Sequence, residues 1–161
     1  MGNTAMLRYQ NFDEGQIEEL ARFFHNIWHE TQASLQDPRK AKYRSILFFR
    51  NRVEQRAKTT LVALADNQII GFVCWTNGSL NSLFVKVDFR SQGIGERLCQ
   101  MAEREMALTG APHFELDCVY GNFAGRRFYE RQGWRVKRED VSVDETPEGK
   151  IETRHWLMVK P

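Results

Sequence analysis

The chain has 161 residues, of which 42% are hydrophobic and 27% charged, and a formal net charge of +2 at pH 7. That length suits one domain, residues 1–161, around one sizeable core, and the composition is that of a folded protein rather than a disordered one. A balance so near neutrality gives no reason to expect a nucleic-acid or membrane partner, and no apolar run approaches the about 20 residues of a bilayer span.

In chain order, a first strand is expected near Met6 to Gln10. From Asp13 to about Ser34, Ile17, Leu20, Ala21, Phe24, Ile27 and Trp28 recur at three- and four-residue steps. That is one face of an amphipathic helix, with Asp13 as its N-cap and Pro38 closing the segment. Arg39 to Lys58 is basic, yet Ile46, Leu47, Phe49 and Val53 can line a second helical face. Thr59–Ala65, Gln68–Thr76 and Leu80–Val87 read as three strands joined by the hairpin signals Asp66-Asn67 and Asn77-Gly78. The period then changes. Leu98, Met101, Ala102 and Met106 share a helical face that stops at Gly110 and Pro112. Phe114–Tyr120 alternates as a strand, Asn122 introduces a short helix, and Trp134–Arg138 and Thr153–Val159 are last strands around a polar loop at Thr146–Gly149. The strand–helix–strand unit from Leu80 to Tyr120 implies a parallel pair inside an otherwise antiparallel sheet. Cys74, Cys99 and Cys118 lie in apolar stretches without a CxxC pair. They predict buried, reduced thiols in a soluble cytoplasmic protein, with neither a disulfide framework nor a metal site. The start of the chain lacks the basic-then-apolar pattern of a leader.

The strongest local feature is the segment Leu83-Phe84-Val85-Lys86-Val87-Asp88-Phe89-Arg90-Ser91-Gln92-Gly93-Ile94-Gly95, a strand that turns into a helix with two glycines at the junction. The first N–H groups of a helix have no intrahelical acceptor, and glycines let them converge on an anion without a Cβ in the way. Such a site suits a diphosphate. A nucleotide P-loop needs Gly-Lys-Ser/Thr, but Glu96 follows Gly95. A dinucleotide fingerprint needs a third glycine where Leu98 stands.

Leu83, Val85, Arg90, Gly93 and Gly95 resemble the signature turn of the GNAT superfamily of acyl-CoA N-acyltransferases. Val87 stands where many relatives have proline. A second signature is met by Asn122, Phe128, Tyr129 and Gly133, with Gly125 in place of alanine and Trp134 in place of phenylalanine. The resemblance runs from about Thr59 to the C-terminus; the first third matches only as a helical arm. It implies an α/β (α+β) fold with a mixed, mostly antiparallel sheet of six to seven strands, one parallel splayed pair and about four flanking helices. It also implies acetyl-CoA as co-substrate and transfer of the acetyl group to a primary amine in a ternary complex.

On that resemblance, backbone groups of Phe84, Val85 and Val87 bond pantetheine in the splay, and the N–H groups of Arg90, Ser91, Gln92, Gly93, Ile94 and Gly95 bond the pyrophosphate. Asn122 caps its helix and contacts the cofactor, as does Phe128, and Tyr129 donates a proton to the leaving thiolate. A backbone N–H near Phe84 or Val85 can stabilise the developing oxyanion. An acceptor amine with a lysine-like pKa is mostly charged at pH 7, a deficit of about 4.6 kcal/mol, so a base is needed. Glu115 and Asp117 are candidates but read more readily as solvated strand-face carboxylates, and no base is assigned. His29 and Glu30, on the first helix, are candidate acceptor-pocket residues. The acceptor is a small-molecule or peptide amine of open identity, and a homodimer through an exposed edge strand is compatible with the pattern. A non-catalytic CoA sensor or adaptor of the same fold is the alternative function.

Overall fold

Left-handed backbone at two hairpin turns sets the frame. Asp66 and Asn67 have φ of 51° and 69°, and Asn77 and Gly78 of 40° and 89°, the conformation two-residue hairpins need to follow strand twist. In the computed structural model, which describes residues 6–161, these turns join β2 (Thr60–Ala65), β3 (Gln68–Thr76) and β4 (Ser79–Val85) as an antiparallel meander. β1 (Leu7–Asn11) pairs along β2. On the far side lie β5 (Phe114–Val119), β6 (Arg135–Thr146) and β7 (Gly149–Lys160), giving seven strands in the order β1-β2-β3-β4-β5-β7-β6 among the described residues. Only β4 and β5 are parallel. The expected mixed sheet, with its one parallel pair, is therefore present.

The two faces are covered differently. α1 (Ile17–Thr31), α2 (Pro38–Tyr43) and α3 (Ile46–Gln55) lie on one face, where Leu20, Phe24, Trp28, Phe49 and Val53 pack on Val62, Leu64, Ile69 and Phe72. α4 (Ile94–Leu108) and α5 (Phe123–Arg131) lie on the other, over Val73, Leu116, Trp134 and Met158. Burying a large aliphatic or aromatic side chain contributes about 1.5–3 kcal/mol, so each face holds its helices firmly. No helix among the described residues is long and apolar enough to cross a membrane.

The helical arm differs from expectation at three points. Asp13 caps a short 3-10 turn ahead of α1, accepting from the Gly15 N–H at 2.9 Å. Pro38 does not close a helix but opens α2 at its first turn, where a missing N–H costs nothing, and Asp37 is the N-cap. Ile46 and Leu47 point outward, 43% and 59% exposed, because only Phe49 and Val53 fall on the buried side of α3.

The larger correction is at the C-terminal end. The polar loop expected between two short strands is mostly strand. β6 and β7 run twelve residues each and meet at Pro147-Glu148, with Gly149 at φ 104°. The stretch from Glu139 to Glu145 offers only Val141 and Val143 as alternate apolar residues, both exposed, but backbone pairing and cross-strand contacts such as Arg154–Glu139 (2.7 Å) suit an edge ribbon. This hairpin overhangs α2. Lys40 Nζ donates to Thr153 Oγ1 at 2.7 Å, Tyr43 to Glu148 at 2.6 Å, and Arg44 to Asp144 at 2.7 Å.

On the opposite face Glu103 of α4 accepts from Trp134 Nε1 (3.3 Å), Cys99 (3.1 Å) and Lys160 Nζ (2.6 Å). The tryptophan that departs from the motif thus has an acceptor for its indole N–H. Replacing Trp134 by phenylalanine keeps a ring and removes that donor. We expect stability to fall by about 1 kcal/mol, read as a lower urea midpoint with unchanged slope. An unshifted midpoint would mean that Lys160 and Cys99 suffice for Glu103.

Candidate active site

The site begins where two parallel strands part. Ser79 and Glu115 are the only register partners across β4 and β5, and the Glu115 N–H donates to the Gly78 carbonyl at 2.9 Å. The Lys86 N–H donates to the Ile70 carbonyl at 2.8 Å. With Gly71 opposite Val85, this makes Phe72 and Phe84 a hydrogen-bonded pair and turns the peptide groups of Leu83 and Val85 away from β3, toward β5. The Tyr120 N–H donates to the Arg154 carbonyl at 3.0 Å, so Cys118 and Leu116 bond β7 while Asp117 and Val119 turn their peptide groups toward β4. Two rows of backbone donors and acceptors therefore face each other across an opening in mid-sheet, where such groups ordinarily have partners.

This phase changes the roles available to the predicted strand residues. The Phe84 peptide is committed to β3, and Leu83, which was not singled out, faces the opening beside Val85. The Val85 carbonyl accepts from Arg90 Nε at 3.2 Å, and the Val87 carbonyl from the Arg90 N–H at 3.2 Å. Arg90 thus ties the turn to the strand end, and its own N–H is occupied. Beyond it, Ser91 and Gly93 have φ of 61° and 81°. The N–H groups of Ser91, Gln92 and Gly93 have no backbone acceptor among the described residues, and the first intrahelical bond of α4 is Arg97 N–H to the Gly93 carbonyl at 3.0 Å. Those of Ile94, Gly95 and Glu96 are the free donors of a helix start. Gly95 serves packing instead: a Cβ there would stand 3.4 Å from the Phe128 ring and 3.7 Å from Val85.

α5 and its N-cap bring two predicted residues, Asn122 and Tyr129, to the opening. Asn122 is the N-cap, accepting from the Gly125 N–H at 3.0 Å. A Cβ at Gly125 would lie 2.5 Å from Asn122 Nδ2, so glycine there lets the cap side chain keep its place. Tyr129 lines the cavity between the strands with Leu83, Phe84 and Cys118, and its hydroxyl has no hydrogen-bond partner among the described residues. Burial, with the nearby Cys99 and Cys118 thiols, pushes its pKa well above the usual tyrosine range. Burial likewise pushes the Cys118 thiol up to about 11.

The cavity, about 320 Å³, continues through the sheet to the α1–α3 face, where Trp28, Gln32, Lys40, Arg44 and Arg52 line it. Its floor carries a pair the sequence reading missed. His155, 6% exposed, has Nε2 3.1 Å from Asp117 Oδ1. Burial raises the Asp117 pKa, with Asp140 and Glu115 adding to the rise and His155 opposing it. The missed signal was Thr153 and His155 as alternate polar residues on a strand of buried side chains. His29 and Glu30 are not brought to the cavity. His29 Nε2 meets the Arg44 carbonyl at 2.7 Å behind the wall, its ring against Trp28 and His25, and Glu30 is exposed. Glu115 lines a smaller adjoining space with Arg52 and Arg56. Among the described residues, no group of three or more potential ligand side chains is placed to hold a metal.

The family profile described as Acetyltransferase (GNAT) family matches residues 17–134. The chain is 28% identical over 135 residues to an uncharacterized N-acetyltransferase of Archaeoglobus fulgidus, covering 76% of this chain and 89% of that protein. It is 32% identical over 82 residues to an uncharacterized N-acetyltransferase of Methanocaldococcus jannaschii, a match spanning 48% of this chain and only 53% of that relative's length. Among solved structures, the PaiA N-acetyltransferase of Thermoplasma acidophilum in complex with coenzyme A superposes with a TM-score of 0.70 at 21% identity, covering 96% of this chain and 98% of that one. A GNAT-family acetyltransferase of Streptococcus pneumoniae gives 0.71 at 18% identity, covering 96% and 99%. At these identities the superpositions show a shared fold.

Gly93 offers a clean test of the turn. Nothing lies within 4 Å of a Cβ built there, yet φ is 81°, so valine meets backbone strain and no clash. Gly93→Val is expected to remain folded, with stability lowered by about 1–3 kcal/mol, and to lose at least about tenfold in coenzyme A affinity by calorimetry. Unchanged affinity would remove the turn as a diphosphate site.

Proposed function

The chain belongs to the GNAT acetyltransferase family, and from that premise we propose that it transfers an acetyl group from acetyl-CoA to a primary amine, by direct attack within a ternary complex. The observation that carries this reading is the opening between β4 and β5, with unpaired peptide groups on both rims, an imidazole–carboxylate pair on one face and a free phenol at the other.

The residues present fit the co-substrate. An extended amide-bearing arm answers the peptide groups of Leu83 and Asp117 and the N–H groups of Val85 and Val119, whose carbonyls are held by Arg90 and Asn122, as an added strand would. Ser91, Gln92, Gly93, Ile94 and Gly95 offer main-chain donors to a diphosphate, while Arg90 holds the turn in place. Phe128 sets how close the first turn of α4 approaches. Acetyl-CoA supplies an activated acyl group on a thiolate leaving group.

The protein's own part is proton handling and charge stabilisation. His155, held by Asp117, takes the proton from the acceptor ammonium or from the attacking nitrogen as the C–N bond forms. The Leu83 and Val85 N–H groups face the opening and stabilise negative charge on the acyl oxygen. Tyr129 gives its proton to the sulfur as the C–S bond breaks. Its raised pKa keeps it a donor at every physiological pH, and its lack of another partner leaves the hydroxyl ready. Asn122 keeps α5, and so Tyr129, in register.

Thiol release from acetyl-CoA with a panel of amines tests the reading directly, and coenzyme A binding without acetylation of any amine would overturn it. Tyr129→Phe is expected to lower kcat by about 10²-fold or more with acetyl-CoA affinity within a factor of two. Full turnover in that variant would remove Tyr129 from the chemistry. Because the acceptor amine must lose its proton to attack, kcat/KM should rise with pH. Because Tyr129 is displaced above the usual tyrosine value, no descending limb should appear below about pH 10. His155→Gln should lower the rising limb by about 10²-fold, and a profile of unchanged height would exclude His155 as the base.

A further inference from the structure

Four cations stand along the α2–α3 side of the cavity and its adjoining space, and they are not alike. Lys40 and Arg44 share Asp144, at 3.3 and 2.7 Å, so their charges are answered from within the chain. Arg52 makes no ion pair among the described residues; it lies over the Phe48 ring at 4.9 Å from its centre. Arg56 makes none either, its nearest polar contact being Cys74 Sγ at 4.0 Å. Both arginines line the space at the closed end of the β4–β5 opening, next to Asn81, Glu115 and Asp117. Neither carboxylate of β5 comes within ion-pair distance of them.

We propose that the acceptor carries a carboxylate beside its amine, and that Arg52, with Arg56 next to it, binds that carboxylate while Asp117 and His155 receive the ammonium. This rests on the transfer reading above. A half-buried guanidinium without a counter-charge is unfavourable, and a ligand carboxylate relieves it with two parallel N–H···O bonds. Burial, together with the Arg56 and Arg44 charges, already works against the charged form of Arg52, and the chain offers little to offset it. The phosphates of coenzyme A cannot be the anion in question. From Asn81 to Val85 alone the strand climbs about 13 Å before the phosphate turn begins. A cavity of about 320 Å³ that also admits the acyl arm leaves room for an acceptor of amino-acid size. A polyamine would set its further cations against the unpaired Arg52 and Arg56, which disfavours it.

The test compares acids with their own amides under saturating acetyl-CoA: β-alanine against β-alaninamide, glutamate against glutamine, with spermidine as the cationic member. The expected result is kcat/KM about tenfold or more higher for each acid, and spermidine the poorest acceptor. Arg52→Gln should raise KM for the acids about tenfold with kcat and the acetyl-CoA KM little changed, erasing the preference over the amides. Arg52→Lys, which keeps charge but not the fork, should restore part of it. Amides or spermidine acetylated as fast as the acids would overturn the inference while leaving the transferase reading intact. Coenzyme A binding without transfer to any member would overturn both.

Discussion

Peptide groups that face a neighbouring strand must find a partner, and in the middle of this sheet most of those in two facing rows find none on a strand. β4 and β5 pair at Ser79 and Glu115 and then part, leaving Leu83 and Val85 on one rim and Asp117 and Val119 on the other. Every other feature of the site is arranged about that opening. An exposed edge at the rim of a sheet can be left to water, but one in the interior asks for a molecule that behaves as a strand. The proposed amide-bearing thioester meets that demand, together with the free main-chain donors from Ser91 onward.

The sheet also divides the chemistry into two compartments. On the α4–α5 face, Tyr129 is surrounded by thiols and apolar side chains that keep it protonated, and the Glu103 network with Trp134 and Lys160 fixes the wall behind it. On the α1–α3 face the surroundings are charged: His155 and Asp117 form the floor, and the cations of α2 and α3 form the side. On the proposed reading, a proton acceptor and a proton donor are thereby kept apart, with the reacting bond able to lie between them.

The β6–β7 hairpin gives the second compartment its outer wall. Its far end extends past β5, and Asp144, Thr153 and Glu148 hold α2 through Arg44, Lys40 and Tyr43. Lys40 is 8% exposed, and burial lowers its pKa against the pull of Asp144. A buried ammonium of this kind is tolerable because both a hydroxyl and a carboxylate meet it. The same contacts explain why Arg52 stands out, since it receives none.

The sequence by itself determined the strand and helix order through most of the chain, because hairpin dipeptides, helix stops and apolar periods are local signals. It also held the two motifs that name the family, since each is a short run of residues within one turn or one helix, as with the left-handed Gly93 and the helix cap Asn122. It did not determine which peptide of β4 faces the opening, Phe84 or Leu83, because that phase is set by pairing with β3. Nor did it reveal the long hairpin, whose charged residues are met by each other across the turn and by α2, or the meeting of His155 with Asp117 from different strands. His29 and Glu30 sat on the right helix but on a side turned from the cavity, a matter of how α1 rolls against α3. Those are relations between elements rather than properties of any one of them, and only pairing and packing decide them.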